Sequence, residues 1–231
     1  MRFFGVQELA STVFSLLNAL PHIIALTVWR HKLMPRNYYY TPFIQWLACV
    51  AIGTWAFSTL FHARDTPLTE RLDYHGTTTL IVTQLFVGLV RFFRIRDEAS
   101  ATVLGALLYL SLAAHILHMN LVLFDYGWNM FVSVCAVLGY ATGWVVWAIQ
   151  HWKRPYAWKA PFLAFCLIAA GTLEIFDFAP IYGLFDAHSI WHLATVPIGF
   201  AWYKFLEEDT HFEMRFDRRK VVARGGLDKI L

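Results

Sequence analysis

The segment Phe57-Ser58-Thr59-Leu60-Phe61-His62-Ala63-Arg64-Asp65-Thr66-Pro67-Leu68-Thr69-Glu70-Arg71-Leu72-Asp73-Tyr74-His75-Gly76 joins two long apolar runs. Ser58 and His62 close the first run and, four residues apart, share one face of a helix. About ten polar-rich residues follow, and Asp73 opens the next apolar run. Ionisable side chains at the edge of membrane-like segments are costly, so they ask for a function.

Composition sets the frame for that segment. The 231 residues are 58% hydrophobic, 17% aromatic and only 15% charged, and the mean hydropathy is +0.48. A soluble domain carries about 25% charged residues. One soluble core cannot hide so much apolar surface, so the chain reads as an integral, all-α membrane protein. The net charge of +3 does not mark a nucleic-acid partner, because the basic residues sit in short blocks between apolar runs. Cys49, Cys135 and Cys166 lie inside apolar runs without CxxC spacing and read as small buried side chains. No cleavable signal peptide, internal repeat or low-complexity stretch stands out.

Working outward, seven apolar runs appear at roughly 9–29, 42–62, 73–93, 102–123, 128–150, 160–176 and 187–205. Each is near the ~20 residues that a crossing helix needs. Pro197 interrupts the last run, and membrane helices tolerate such a kink. No run alternates with a period of two, which argues against a barrel. The expectation is a single seven-transmembrane helix bundle over 1–231 with a tail from 206.

Lys and Arg set its orientation. Arg30, Lys32 and Arg36 follow run one; Arg91, Arg94 and Arg96 follow run three; Lys153, Arg154 and Lys159 follow run five. Lys204, Arg215, Arg218, Arg219, Lys220, Arg224 and Lys229 lie at or beyond the end of run seven, on the same side. The other side keeps Arg2, Arg64 and Arg71. By the positive-inside rule the C-terminus is cytosolic and the N-terminus lumenal.

That topology brings Ser58 and His62 (end of run two), Asp73 (start of run three) and Asp186-Ala187-His188-Ser189-Ile190-Trp191-His192 (start of run seven) to one lumenal depth. His188 and His192, spaced i and i+4, can grip one cation as the helical H-E-x-x-H motif does, although the Glu is missing. Adding His62 gives three nitrogen ligands and an open fourth position, the pattern of a catalytic Zn2+. Asp73 can orient a ligand or take a proton from water, and Ser58 can donate to a developing oxyanion. Plainer readings stand beside each. A lone intramembrane His is more often a packed side chain, Ser58 can bond back to its own helix, and Asp73 can serve the helix dipole. His75 points elsewhere on its helix, while His22, His115 and His118 read as polar contacts between helices. Asp125-Tyr126-Gly127 reads as a tight turn. Glu174, Asp177 and Asp186 give a solvated acidic rim, and Tyr38-Tyr39-Tyr40 with the many Trp residues fit interfacial belts.

These residues resemble the CREST superfamily of seven-helix membrane hydrolases. The finer resemblance is to the Per-type family, that of post-GPI attachment to proteins factor three. The strings that carry it are Gln7-Glu8 with Ala10-Ser11, Ser58 to Thr66, and Thr69-Glu70-Arg71-Leu72-Asp73-Tyr74. Phe124-Asp125-Tyr126-Gly127 with Asn129, Asp186 to His192, and Leu206-Glu207-Glu208-Asp209 complete them. The resemblance implies a phospholipase A2-type acyl hydrolase that removes the sn-2 fatty acid from the phosphatidylinositol of GPI-anchored proteins during lipid remodelling. It also implies residence in the endoplasmic reticulum or Golgi membrane, a lumenal site, zinc on His62, His188 and His192, and catalytic support from Asp73 and Ser58. An alkaline-ceramidase-like amide hydrolase, and a lipid receptor or GPI-cargo factor without turnover, are the alternatives. Members of that family usually carry a signal peptide and a cysteine-rich lumenal segment before the first helix. Here Met1-Arg-Phe-Phe leads almost directly into run one, so the chain is expected to be a fragment or shortened form.

Overall fold

The computed structural model describes residues 5–174 and 178–227, with side chains through 216 except that of Glu174. Among the described residues eight α-helices follow one another: α1 (Leu9–Leu26), the single turn α2 (Arg30–Leu33), α3 (Thr41–Ala63), α4 (Pro67–Phe92), α5 (Glu98–Leu121), α6 (Tyr126–Gln150), α7 (Lys159–Gly171) and α8 (Ala187–Leu227). A short 3-10 turn, Thr172–Glu174, follows α7. Among the described residues the only strand-like pairing is an isolated bridge between Ile181 and Phe185. Among the described residues four helices, α1, α3, α5 and α6, are long and apolar enough to cross a membrane by length and composition. Leu107, Leu110, Leu117 and Leu121 stand exposed along α5, as they must on a helix whose solvent is lipid. The chain is an all-α, multi-pass membrane protein.

Local chemistry sets the helix starts. Thr66 and Thr69 form a reciprocal capping box with Pro67 in the first turn of α4. Asp97 accepts from Ser100 N at 2.7 Å, and Asp125 from Trp128 N at 3.1 Å. Asp125 is therefore the N-cap of α6 rather than part of a free turn. Asp186 accepts from Ser189 N at 2.7 Å and donates its own N–H to Ser189 Oγ at 3.0 Å, which opens α8.

Helix packing runs α1–α3–α4–α6–α7–α8 and back to α1, with α5 laid on α4. Close approaches depend on small residues. A Cβ at Gly143 would sit 2.1 Å from the Phe92 ring, and one at Gly199 would sit 2.9 Å from Pro21. Glycine at these points lets α4 meet α6 and α1 meet α8. An aromatic cluster of Tyr140, Trp144, Trp147, Tyr156 and Phe205 fills the space among α6, α7 and α8.

Several expectations need correction. The third run starts at 73, but α4 begins at Pro67, because the Thr66 box nucleates a helix in polar sequence that hydropathy cannot mark. Asp73 therefore lies inside the helix rather than at its dipole end. The seventh run stops at 205, whereas α8 continues without a break to Leu227. The sixth becomes a 13-residue helix and a 3-10 turn. Cys49 and Cys135 are exposed on the bundle and Cys166 is half-buried. A lipid-facing position is as apolar as a core position, so hydropathy alone cannot separate them. Tyr38 and Tyr40 are buried against Leu33, Ile44 and Tyr203. Glu174 as a side chain, Asp177, and the basic side chains of 217–231 lie outside the described residues.

Continuation of α8 has a visible cause. Arg91 donates from Nε and Nη2 to the two oxygens of Asp209, each at 2.7 Å, and Arg154 reaches Glu213 at 2.7 Å and Asp209 at 3.2 Å. Tyr156 OH donates to Asp209 at 2.9 Å, and Arg94 and Arg96 reach Glu213 from the rim. Arg91, Arg154, Tyr156, Asp209 and Glu213 are all buried. Burial alone would raise the Asp209 carboxyl, but Arg91, Arg154 and Tyr156 hold it below the usual aspartate range. The basic blocks after runs three and five are thus gathered at one end of the bundle by acids of α8.

Candidate metal centre

The centre is assembled from α3 and α8 at the end of the bundle opposite the ion network. His62 lies in the last turn of α3, and His188 and His192 occupy the first two turns of α8. Their Nε2 atoms converge at 3.2 Å (His188–His62), 3.1 Å (His192–His62) and 2.9 Å (His192–His188). His62 and His192 are buried and His188 is half-buried. Three converging imidazole nitrogens cannot all hydrogen-bond one another, because each ring nitrogen is either donor or acceptor, whereas their lone pairs can share one cation. Ligand nitrogens around a tetrahedral ion at ~2.0–2.1 Å lie about 3.3 Å apart. The observed spacings fall just inside that value, so the donor set fits a metal ion.

The neighbouring structure holds these rings from several sides. Asn18 on α1 donates to the carbonyl of His192 at 2.7 Å and accepts from Thr195 Oγ1 at 3.1 Å. Trp55 packs edge-on against the His192 ring, centroids 5.6 Å apart. His192 Nδ1 is buried without a hydrogen-bond partner among the described residues. Glu8, just before α1, places Oε2 2.6 Å from His62 Nδ1. That hydrogen bond holds the Glu8 carboxyl below the usual glutamate range, against a partial burial that would raise it.

Ser58, one turn deeper than His62, is buried, and its Oγ lies 3.1 Å from Ser15 Oγ on α1. It therefore has a partner on another helix, where the sequence left open a bond within its own. Asp73 is buried on α4. Its level is fixed by Thr54 Oγ1 donating to Gly76 O at 2.9 Å and by the Phe61–Tyr74 ring contact at 6.3 Å, which set this turn of α4 beside the last turns of α3. His75 stands apart, paired with Asn120 at 2.9 Å. His115 meets Asn129 at 3.0 Å, His118 packs on Trp128, and His22 meets the Tyr203 hydroxyl at 2.8 Å. These four are the inter-helix contacts, or the outlying ring, that their sequence positions suggested.

Sequence reasoning did not select Glu8, Ser15 and Asn18 as site residues. A usable sign was present: Ser11, Ser15, Asn18 and His22 recur at helical spacing along an otherwise apolar α1. The first three are buried. A polar stripe in such a helix faces protein rather than lipid.

Over residues 1–210 the sequence matches the Per1-like family. The chain belongs to the Per1-like family. A protein of Bos taurus named GPI-specific phospholipase A2-like PGAP3 is 34% identical over 220 residues, covering 95% of this chain and 69% of that protein. The Homo sapiens protein of the same name is 33% identical over 215 residues, 93% of this chain and 67% of its own length. The protein PER1 homolog of Schizosaccharomyces pombe is 30% identical over 233 residues, 96% of this chain and 69% of its own. The compared regions of this Per1-like chain include every residue of the histidine cluster.

Proposed function

We propose that this Per1-like chain is a zinc-dependent acyl ester hydrolase. It removes the sn-2 fatty acid from the phosphatidylinositol of GPI-anchored proteins during GPI lipid remodelling. The observation that carries this reading is the convergence of His62, His188 and His192 within 3.2 Å, in a membrane protein whose relatives are named for a GPI-specific phospholipase A2-like activity. An all-imidazole donor set suits zinc.

In this reading His62, His188 and His192 would hold the ion. A zinc ion held there would supply Lewis-acid polarisation of the ester carbonyl and a bound water with its pKa lowered toward about 7. Asp73 accepts a proton from the attacking water, and Ser58 Oγ donates a hydrogen bond to the carbonyl oxygen as negative charge develops there. The acyl C–O bond breaks, the proton passes to the lysolipid oxygen, and a free fatty acid departs. Seven crossings by α1 and α3–α8 in one domain, a lumenal N-terminus and a cytosolic tail put this chemistry on the lumenal side of an endoplasmic reticulum or Golgi membrane. GPI-anchored proteins are exposed on that side.

The test is lipid mass spectrometry of GPI-anchored proteins in cells lacking the endogenous activity, complemented with the wild type or with His192→Ala. Loss of the sn-2 chain with the wild type alone supports the reading. No change with either, when both reach the membrane, rejects it; ceramide turnover by the wild type would then favour an amide hydrolase.

A further inference from the structure

Glu8 touches the ligand set from outside, and its geometry is specific. Its Oε2 lies 2.6 Å from His62 Nδ1, across 54 positions of sequence, with the His62 side chain 2% and the Glu8 side chain 52% exposed. Glu8 occupies the N-cap position of α1, yet its side chain makes no capping hydrogen bond to that helix. The carboxylate is therefore not committed to the role its position would normally assign, and it turns to the histidine instead.

The backbone holds that contact in register. Glu8 N donates to His62 O at 3.0 Å and Gln7 N to Ala63 O at 3.2 Å, while the Gln7 side-chain oxygen accepts from Asp65 N. On the other side, Glu8 O accepts from Thr12 N at 3.0 Å and from Thr12 Oγ1 at 2.7 Å. The entry to α1 is thus strapped along the exit of α3 by main-chain bonds that do not depend on the carboxylate.

We propose that Glu8 is a positioning residue of the metal centre. It accepts the Nδ1–H of His62 and so fixes the tautomer whose Nε2 lone pair points at His188 and His192. Its charge also raises the donor strength of that imidazole. The inference rests on the trio being metal ligands. His62 needs such a device because it approaches from α3, alone, whereas His188 and His192 are aligned by their own helix.

The experiment uses the full chain purified in detergent, with Co2+ and Zn2+ affinities measured by chelator competition. The visible Co2+ spectrum and the thermal midpoint of the metal-free protein are recorded alongside. Removing a carboxylate that orients a ligand typically costs 10–100-fold in metal affinity. Glu8→Ala should lose about that much and alter the Co2+ spectrum, while its metal-free midpoint stays at the wild-type value because the main-chain strap survives. Glu8→Gln, whose amide oxygen can still accept from Nδ1–H, should fall between the two. Wild-type affinity and spectrum in Glu8→Ala overturn the proposal. So does a fall in the metal-free midpoint with unchanged affinity in the folded fraction, because that is a structural role only. If the wild type itself binds neither ion, the ligand reading of the trio fails and takes this proposal with it. Failure of the Ala variant alone to lose metal leaves the trio standing.

Discussion

Asp209→Asn is the most demanding test of how α8 is held. Asp209 is 2% exposed, takes a two-point contact from Arg91 at 2.7 Å, and also accepts from Arg154 and Tyr156. Charge centres in such a pair are about 4 Å apart, worth ~4 kcal/mol at an effective dielectric near 20. Removing one member leaves two guanidiniums short of a partner, and breaking a buried pair costs about 3–5 kcal/mol. Equilibrium unfolding in mixed micelles should show a loss in that range. Arg91→Met combined with Asp209→Leu should cost less than the sum of the single changes, by about 2 kcal/mol or more. The pH dependence follows from the direction of the shift. A carboxyl held below its ordinary 3.8 when folded contributes fully above that value, and the contribution is lost as pH falls through the folded pKa. The gap between wild type and Asp209→Asn should be flat at neutral pH and close in strong acid. A loss under ~0.5 kcal/mol for Asp209→Asn, or a gap that widens on acidification, would refute the picture of a desolvated network.

Other expectations are simpler to check. His62→Ala, and separately His188→Ala, should each abolish stoichiometric metal binding by elemental analysis while far-ultraviolet circular dichroism remains helical. Chelation of the wild type should lower its unfolding midpoint, since a ligand bound only by the folded state stabilises it by mass action. Asn18→Ala removes a donor 2.7 Å from the His192 carbonyl and should cost about 1–3 kcal/mol in the same micelle assay. Gly143→Ala drives a methyl into the Phe92 ring and should cost about 1–3 kcal/mol, with much of the loss recovered in Gly143→Ala/Phe92→Leu.

How much of this was legible in the sequence differs from residue to residue. The histidine cluster was readable because it obeys two local rules, the i, i+4 spacing of His188 and His192 and the position of His62 at a run's end. Glu8 was not, since its contact with His62 depends on how the entry to α1 lies along α3, which no local period encodes. The start of α4 was hidden for another reason: Thr66, Pro67 and Thr69 define it through capping chemistry in sequence too polar to register as apolar. The long α8 was missed because hydropathy stops at Phe205, where buried ion pairs take over from apolar contacts. For Cys49 and Cys135, lipid and protein interior present the same apolar sequence, and only the packed bundle tells them apart.

The order of contacts around the bundle, with α8 returning to α1, also has a consequence for biogenesis. A chain emerging from the ribosome delivers Glu8, Ser58, His62 and Asp73 within its first third, but the two remaining imidazoles come more than a hundred residues later. Until α8 has closed onto α1, His62 has neither His188 nor His192 beside it. If the trio holds a metal as proposed, its loading is a terminal step of assembly, because all three nitrogens come together only after that closure.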